Sequence, residues 1–357
     1  MSSELILVII LALVFEFING MRDSSNIVAT MISSRAFRPQ TALGVTAVAE
    51  FLGPFLFGVT VAKTVGGDIV DSKLLSLDAL VACLLAAIIW NLITWFLGIP
   101  SSSSHALIGG LIGVVAFTAG FGVINVQAIY KVLIGLFLSP LAGFVVGFLI
   151  LRLIYFLARH ASPNINEFFK RAQLFTAIGL AFSHGTNDAQ KTMGIITLSL
   201  IIGGVLTGFE VPFWVIAVSA STMALGTAMG GWRLIRTLGG KFYKIRPVHS
   251  FATQITSAVV ILAASFGGAP VSTTQVVSSA IVGVGSSERF GKVRWGVVSD
   301  ILTAWIITIP VSGLISAGIY WFVERFLEVF SVRSSFVPIF KGCLTVNIDN
   351  ATMLTLC

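Results

Sequence analysis

Long apolar stretches separated by short polar segments dominate the chain. Such stretches occupy residues 5–18, 77–97, 126–151 and 297–323. A helix needs about 20 apolar residues to cross roughly 30 Å of hydrocarbon, and the sequence lacks the alternating strands of an outer-membrane barrel. The pattern therefore predicts an all-α polytopic membrane protein with about 10–12 membrane segments. Because Glu4 stands where a signal peptide carries basic residues, the first stretch is interpreted as a retained membrane helix.

Two sequence motifs each occur twice, in the same order. FINGMRDSSNIVAT at 17–30 is matched by FSHGTNDAQKTMGI at 182–195. GIPSSSSHALIGGLIG at 98–113 is matched by GAPVSTTQVVSSAIVG at 268–283. Two ordered matches at nearly one offset indicate an internal repeat. The predicted division is a first repeat at 1–125, a connecting span and basic linker at 126–172, a second repeat at 173–295, a final span at 296–323 and a C-terminal tail at 324–357.

Corresponding loops of the two halves carry opposite charge bias. The loop at 233–246 has five basic residues, whereas its counterpart at 63–73 has two basic and two acidic residues. Cytoplasmic loops are enriched in Lys and Arg, so the two repeats are predicted to have inverted topology, with broken helices and helical hairpins. Both the N-terminus and the C-terminal tail are then outside. The net charge of +7 follows from these loops and indicates no nucleic-acid partner.

Each Gly-x-Pro motif precedes a cluster of hydroxyl side chains. Proline ends one helix and suits the start of the next, so the clusters are predicted at helix N-termini, where free N–H groups and the helix dipole favour anions. Two such ends from inverted repeats would meet near the bilayer midplane and hold a tetrahedral oxyanion. The alternative is that the hydroxyls only cap or pack helices. The predicted anion ligands are Ser102, Ser103, Ser104, Ser272, Thr273, Thr274 and Arg22.

Charged side chains also lie within the predicted spans. Asp23 and Asp188 occupy equivalent repeat positions, each three residues after a glycine. An ionised group at the midplane costs at least ~2.5–3.5 kcal/mol, and transporters place such carboxylates in broken helices to hold Na⁺ or H⁺. The alternative is structural pairing with Arg22 and Lys191, and the roles of Glu16, Asp300 and His105 stay open. The predicted cation-coupling residues are Asp23, Asn26, Asn187, Asp188, Gln190 and Glu50, of which Asp23, Asn26 and Asp188 would ligate Na⁺ if sodium is the coupling ion.

The sequence contains no motif for catalysis. A nucleophile elbow, a P-loop and metal-spaced Cys or His residues are all missing, so neither an enzyme, nor an ATP-driven pump, nor a cofactor is predicted. Cys83 is interpreted as a packing residue. Whether Cys343 and Cys357 pair is left open.

The two duplicated motifs resemble those of the PiT family of inorganic phosphate transporters, in particular the bacterial low-affinity type. That family repeats a Gly-Ala-Asn-Asp-x-x-Asn-Ala signature and carries a Pro-x-Ser-(Ser/Thr)-(Ser/Thr) hairpin in each half, and the likeness extends from about residue 10 to 320. The resemblance implies import of inorganic phosphate through the plasma membrane by symport with Na⁺ or H⁺, and in some bacterial members uptake as a neutral metal–phosphate complex. It places Asp23, Asn26, Asn187 and Asp188 at the polar positions of the signature.

The chain departs from the family pattern at two cationic positions. Arg22 stands where the family has Asn or His, and Lys191 stands where the first repeat has Asn26. Two cations within the signature weaken the case for a second, symmetric Na⁺ site and favour proton coupling or stronger anion binding. A sulfate permease, an anion channel and a non-transporting scaffold are the competing hypotheses. The oligomeric state, including a homo-oligomer, is left open.

Overall fold

The computed structural model describes residues 2–56, 58–68, 75–162, 164–336, 344–347 and 353–356. Over these residues the chain forms twelve α-helices and one small pair of strands. The helices are α1 Ser3–Ser33, α2 Pro39–Leu56, α3 Thr60–Lys63, α4 Leu77–Leu97, α5 Ser103–Thr118, α6 Val126–Leu157, α7 Ile165–Ile202, α8 Phe213–Met229, α9 Trp232–Gly240, α10 Pro247–Phe266, α11 Thr273–Glu288 and α12 Trp295–Phe336. The shorter helical turns are a π-helix at Thr64–Asp68, directly after α3, and 3₁₀ turns at Phe121–Val123 and Phe290–Lys292.

The C-terminal region is more helical than the predicted division of the chain implies. α12 continues beyond the predicted final span at 296–323 and ends at Phe336. The two antiparallel strands are β1 Leu344–Asn347 and β2 Met353–Leu356. Cys343 and Cys357 lie outside the described residues.

Several helices meet the requirements of a membrane span. Five are long and apolar enough: Ser3–Ser33, Leu77–Leu97, Leu133–Leu157, Pro247–Phe266 and Trp295–Arg325. The pairs α2/α3 and α8/α9 are bent by 74° and 69°, and the count rises to seven if each bent pair is one span. The predicted all-α membrane architecture is thus confirmed. The predicted total of about 10–12 segments agrees with the twelve helices only if every hairpin arm and half-helix is counted.

The first six helices and the last six have the same order and equivalent contacts. α1 packs against α8, and α7 packs against α2. A methyl group added to Gly20 of α1 would lie 2.2 Å from the carbonyl oxygen of Met223, and one added to Gly185 of α7 would lie 2.3 Å from that of Glu50. Since Gly20 and Gly185 are the paired glycines of the repeated motif, the same close helix crossing is built twice.

The hairpins α4/α5 and α10/α11 are exchanged between the halves. α5 packs closely against α12, and α11 packs closely against α6. Glycines bring these helices together, because a methyl group on Gly113 would lie 2.2 Å from the carbonyl oxygen of Gly313 and one on Gly283 would lie 2.1 Å from that of Phe144. Close approach at small residues is how helices associate in membranes, where lipid removes the hydrophobic driving force. The packing thus makes α6 and α12 counterparts, although the predicted division leaves both outside the repeats.

Buried apolar side chains form three clusters among the described residues. The two larger clusters contain Leu80 and Leu107, and Leu180 and Ile281, and a smaller cluster contains Leu151. Other large apolar side chains, such as Phe96, are more than half exposed on the outer surface. An apolar exterior is expected where lipid rather than water surrounds the protein.

Polar side chains cap the second arm of each bent pair. The amide oxygen of Gln190 on α7 accepts hydrogen bonds from the backbone N–H groups of Val61, at 2.8 Å, and Ala62, at 3.2 Å, at the start of α3. On α1, the Ser24 hydroxyl accepts a 3.0 Å bond from the N–H of Gly231, which precedes α9. These donors have no intrahelical partner, so the caps satisfy them where water is excluded.

We expect Gly185→Ala to destabilise the crossing of α7 and α2. The added methyl group would clash with backbone atoms that cannot move independently, and overpacking of this kind costs about 1–3 kcal/mol. A lower midpoint of thermal unfolding in detergent is therefore expected. Gly179→Ala on the same helix is the matched control, because nothing lies within 4 Å of the added methyl group there. Equal midpoints for the two variants would contradict the predicted clash.

We expect Gln190→Leu to destabilise α3. The substitution leaves two buried N–H donors without an acceptor, at a cost of about 1–3 kcal/mol. Amide hydrogen exchange in peptides that cover 60–68 should accelerate, by about tenfold or more. Gln127→Leu, at an exposed position of α6, should leave that exchange unchanged. Unaltered protection of 60–68 in the Gln190 variant would rule out the capping role.

Candidate functional site

The two hairpin turns place equivalent hydroxyl clusters at helix N-termini, as the sequence predicts. Gly98 and Gly268 allow the turns because their φ angles of +68° and +64° lie in the left-handed region. The Ser102 hydroxyl then accepts a 3.1 Å bond from the N–H of His105 and begins α5. The hydroxyl of Ser272 caps α11 in the same way, through the N–H of Gln275 at 3.3 Å.

The tips of the two hairpins meet at one lysine. The Lys191 ammonium on α7 donates to the Ser104 hydroxyl at 2.6 Å and to the Val271 carbonyl oxygen at 2.9 Å. It also pairs with the Asp188 carboxylate one helical turn earlier. Ser104 in turn donates to the Val271 carbonyl oxygen at 3.1 Å. A single side chain of α7 thus joins the hairpins of both halves.

A buried cluster of acidic groups and a histidine adjoins this junction. Asp188 Oδ2 accepts a 2.9 Å bond from the Thr273 hydroxyl and lies 3.3 Å from His184 Nε2. The other ring nitrogen of His184, Nδ1, lies 2.8 Å from Glu50 Oε1. Ligand atoms of Asp23, His184 and Asp188 all lie within 4.8 Å of one another. These three side chains could hold a cation between α1 and α7. Both helices are continuous through the repeated signature, so the expectation that these carboxylates lie in broken helices is wrong.

Several buried oxygens of the two signature segments lack hydrogen-bond donors. Neither carboxylate oxygen of Asp23 has a donor among the described residues, and the same is true of the amide oxygens of Asn26 and Asn187. The nitrogen of the Asn26 amide donates to the Thr274 hydroxyl at 3.0 Å. A buried oxygen without a donor is costly, and carboxylate and amide oxygens are preferred ligands of hard cations.

Arg22 binds Asn91 and Ser101 of the first hairpin. No hydrogen bond joins it to the predicted anion ligands Ser102, Ser103 and Ser104 among the described residues. Its Nη2 donates to the Ser101 hydroxyl at 3.0 Å and to the Ser101 carbonyl oxygen at 3.2 Å, and its Nη1 bonds to Asn91. At the equivalent position of repeat two, the Asn187 amide nitrogen donates to the Ser265 hydroxyl at 2.9 Å. Both side chains therefore tie a signature helix to the neighbouring hairpin.

Most of the predicted site residues come together, and a few do not. Asp23 lies close to Asp188, Asn26 contacts Thr274, and Asp188 contacts Thr273. The amide of Gln190 is instead engaged at the start of α3. Glu50 lies next to His184 rather than at Asp23. Asp300 is exposed on α12. The predicted ligand roles stay predictions, but Gln190 lies away from the other candidates.

The site is closed to solvent on all sides. Ser103 is the most exposed of the predicted anion-binding side chains, at 3%. The acidic residues Asp23 and Asp188 are at most 1% exposed, and Lys191 is 2% exposed. An ion can therefore enter or leave only when the surrounding helices move.

The roles of two side chains in the site, His184 and Lys191, are not predicted from the sequence. His184 is part of the second signature, but the sequence alone predicts no role for it. Its position four residues before Asp188 places both on one helix face, which is the signal that identifies it. From the sequence, Lys191 is expected only as a departure from the family pattern and as an alternative partner of Asp188, and the structure contains that pair. Its contact with both hairpins depends on tertiary packing, and no local sequence pattern reveals it.

Comparison with known proteins places the chain among membrane transporters. A family model described as "Phosphate transporter family" matches residues 19–162 and 157–316. A protein of Bacillus subtilis (strain 168), described as a "probable low-affinity inorganic phosphate transporter", is 44% identical over 323 residues, which cover 89% of this chain and 97% of the relative. A Rhizobium meliloti (strain 1021) protein with the same description is 42% identical over 315 residues, covering 88% and 94%.

A solved structure has the same fold. It is described as "The sodium-dependent phosphate transporter", and it superposes with a TM-score of 0.83 at 24% identity, covering 91% of this chain and 100% of that one. The family expected from the duplicated motifs is confirmed. The family model covers most of the chain in two consecutive matches and the relatives align over nearly their whole length, so this chain belongs to the phosphate transporter family.

Proposed function

We propose that the protein imports inorganic phosphate across the plasma membrane by symport with Na⁺ or H⁺, through alternating access around the junction of the hairpin tips. The observation that carries this proposal is the meeting of two helix N-termini beside the buried carboxylates of Asp23 and Asp188. The proposed topology has inverted repeats, with the N-terminus and the C-terminal tail outside. The names of the curated relatives support phosphate as substrate, and the name of the solved structure supports sodium as coupling ion.

The charges of the site explain why an anion would need a cation. Eight ionisable side chains are buried around the junction: Glu16, Arg22, Asp23, Glu50, His105, His184, Asp188 and Lys191. Two basic residues face four carboxyl groups, so the formal charge is −2 when the carboxyl groups are ionised and both histidines are neutral. A phosphate anion would add to this negative charge. A cation bound at Asp23 offsets it, and an opposite unit charge about 5 Å away is worth roughly 3 kcal/mol at an effective dielectric constant of 20.

The anion would bind to donors that the hairpin tips already present. Ser104 and Thr274 lie at equivalent positions and contact Lys191 and Asn26 respectively. A phosphate between the tips would take over these donors and the first N–H groups of α5 and α11. Phosphate at neutral pH also carries a proton that it can donate to a carboxylate, whereas sulfate carries none. A carboxylate near the anion therefore favours phosphate over sulfate.

Burial of the whole site supports a carrier over a channel. A conducting channel needs a continuous path past its selectivity site, but the ligands proposed here are enclosed. The exchanged packing of α5 on α12 and of α11 on α6 couples each hairpin to the other half. Rocking of one half against the other would expose the tips to one side at a time.

Uptake of ³²P-phosphate into proteoliposomes tests the function. We expect accumulation above the external concentration when a Na⁺ or a pH gradient is imposed, because the coupling cation drives the anion uphill. The gradient that supports accumulation identifies the ion.

The same assay tests the identity of the transported anion. Excess sulfate should not reduce the rate of phosphate uptake, and addition of Mg²⁺ or a chelator shows whether a metal–phosphate complex is carried. Downhill leak alone would indicate a channel, and equal competition by sulfate would indicate a broader oxyanion permease.

Asp23→Asn should abolish accumulation. The substitution keeps the size of the side chain but removes the charge that holds the coupling cation, so uptake should fall to the level of empty liposomes. Asp300→Asn, at an exposed position on α12, makes the same chemical change as a control and should retain wild-type accumulation. Full accumulation by the Asp23 variant would remove Asp23 from the coupling mechanism.

A further inference from the structure

Asn26 and Lys191 are counterparts that make counterpart contacts. They stand at the same position of the repeated signature, one in each half of the chain. Asn26 reaches the hydroxyl of Thr274 in the hairpin of the second half, and Lys191 reaches that of Ser104 in the hairpin of the first half. Ser104 and Thr274 are themselves equivalent positions of the repeated hairpin motif. The two halves thus build the same crossed contact with an amide in one case and an ammonium group in the other.

The surroundings of the Lys191 ammonium are those of a bound cation. An ammonium group has three N–H donors, and this one meets a hydroxyl, a backbone carbonyl and a carboxylate oxygen: Ser104 Oγ at 2.6 Å, Val271 O at 2.9 Å and Asp188 Oδ1. The Val271 carbonyl lies in the turn between α10 and α11, whereas Asp188 lies within the continuous helix α7. Carboxylates and the carbonyls of unwound backbone are groups that coordinate Na⁺ in transporters. The nitrogen is therefore fully satisfied by oxygens from α7 and both hairpin tips.

The corresponding oxygens of repeat one are not satisfied in this way. Both carboxylate oxygens of Asp23 and the amide oxygen of Asn26 have no donor among the described residues. Each of these side chains is 1% exposed. In repeat two, the equivalent carboxylate of Asp188 accepts from Lys191 and Thr273. The two signature segments make equivalent contacts with the hairpin tips, but only the carboxylate of Asp188 is paired with a lysine of its own segment.

We infer that Lys191 is a tethered cation that occupies the position of a second coupling ion, so that the only mobile cation of the symmetric pair binds at Asp23 and Asn26. This inference rests on the proposed symport and specifies its ion stoichiometry. Lys191 neutralises Asp188 and holds the second half of the site in the loaded form permanently. Repeat one alone then alternates between its loaded and unloaded forms.

Lys191→Asn tests the inference, because it gives repeat two the residue that repeat one has. The variant should gain a site for one Na⁺ beside Asp188. At a clamped membrane potential, the phosphate ratio at zero net flux varies with the Na⁺ ratio raised to the number of coupled sodium ions. That exponent should rise by one, so a ~10-fold Na⁺ gradient should increase the limiting accumulation by about tenfold. The number of ²²Na⁺ ions bound per purified protein should rise by one as well.

Lys170→Asn is the matched control, since Lys170 lies on the same helix in an exposed pair with Glu167, and it should change neither quantity. If Lys191→Asn transports too slowly for flux reversal, ²²Na⁺ binding to the monodisperse purified variant decides. An unchanged ²²Na⁺ count and an unchanged exponent would overturn the inference. Failure of the wild-type protein to accumulate phosphate would instead overturn the proposed function, and the ²²Na⁺ counts would still report on Lys191.

Discussion

The pairing of Lys191 with Asp188, at the point where the two hairpin tips meet, is the interaction on which the centre of the protein depends. Removal of one partner from a buried ion pair costs about 3–5 kcal/mol, whereas an ordinary hydrogen bond contributes about 1 kcal/mol. The same ammonium also bonds to Ser104 and to the Val271 carbonyl. One pair therefore fixes the charge of the site and the relative position of both hairpins.

The scaffold around this pair explains how a local event at the tips can move whole helices. Each hairpin packs on a helix of the other half, at glycines that leave no space for a methyl group. Such close packing does not deform gradually, and a change at one contact shifts the packed elements together. In the proposed alternating access, binding at the tips would be transmitted through α5 to α12 and through α11 to α6.

The repeat, the hairpins and the helix class could be predicted because local patterns encode them. Glycine and proline fix the turns before Ser102 and Ser272, and apolar stretches give the helices. The equivalence of α6 and α12 was not predicted, although Pro140-x-x-Gly143 of α6 recurs as Pro310-x-x-Gly313 of α12 at the same offset as the hairpin motif. The cap that Gln190 provides and the contact of His184 with Glu50 join residues that are far apart in the sequence, which no local pattern reveals. Sequence thus locates the polar residues, but packing determines their partners.

A transporter with two identical half-sites would have to load both before the charge of the anion was balanced. The second repeat has Lys191 at the position where the first has Asn26. In the proposed mechanism this removes the requirement, because the ammonium group of Lys191 takes the place of an ion from solution. The driving force available from a gradient decreases with each mobile ion that is replaced. In return, the Asp188 half of the site loses no entropy in capturing an ion. In the proposed mechanism each cycle would then depend on one ion captured at Asp23 and Asn26, because the carboxylate of Asp188 is already paired with Lys191.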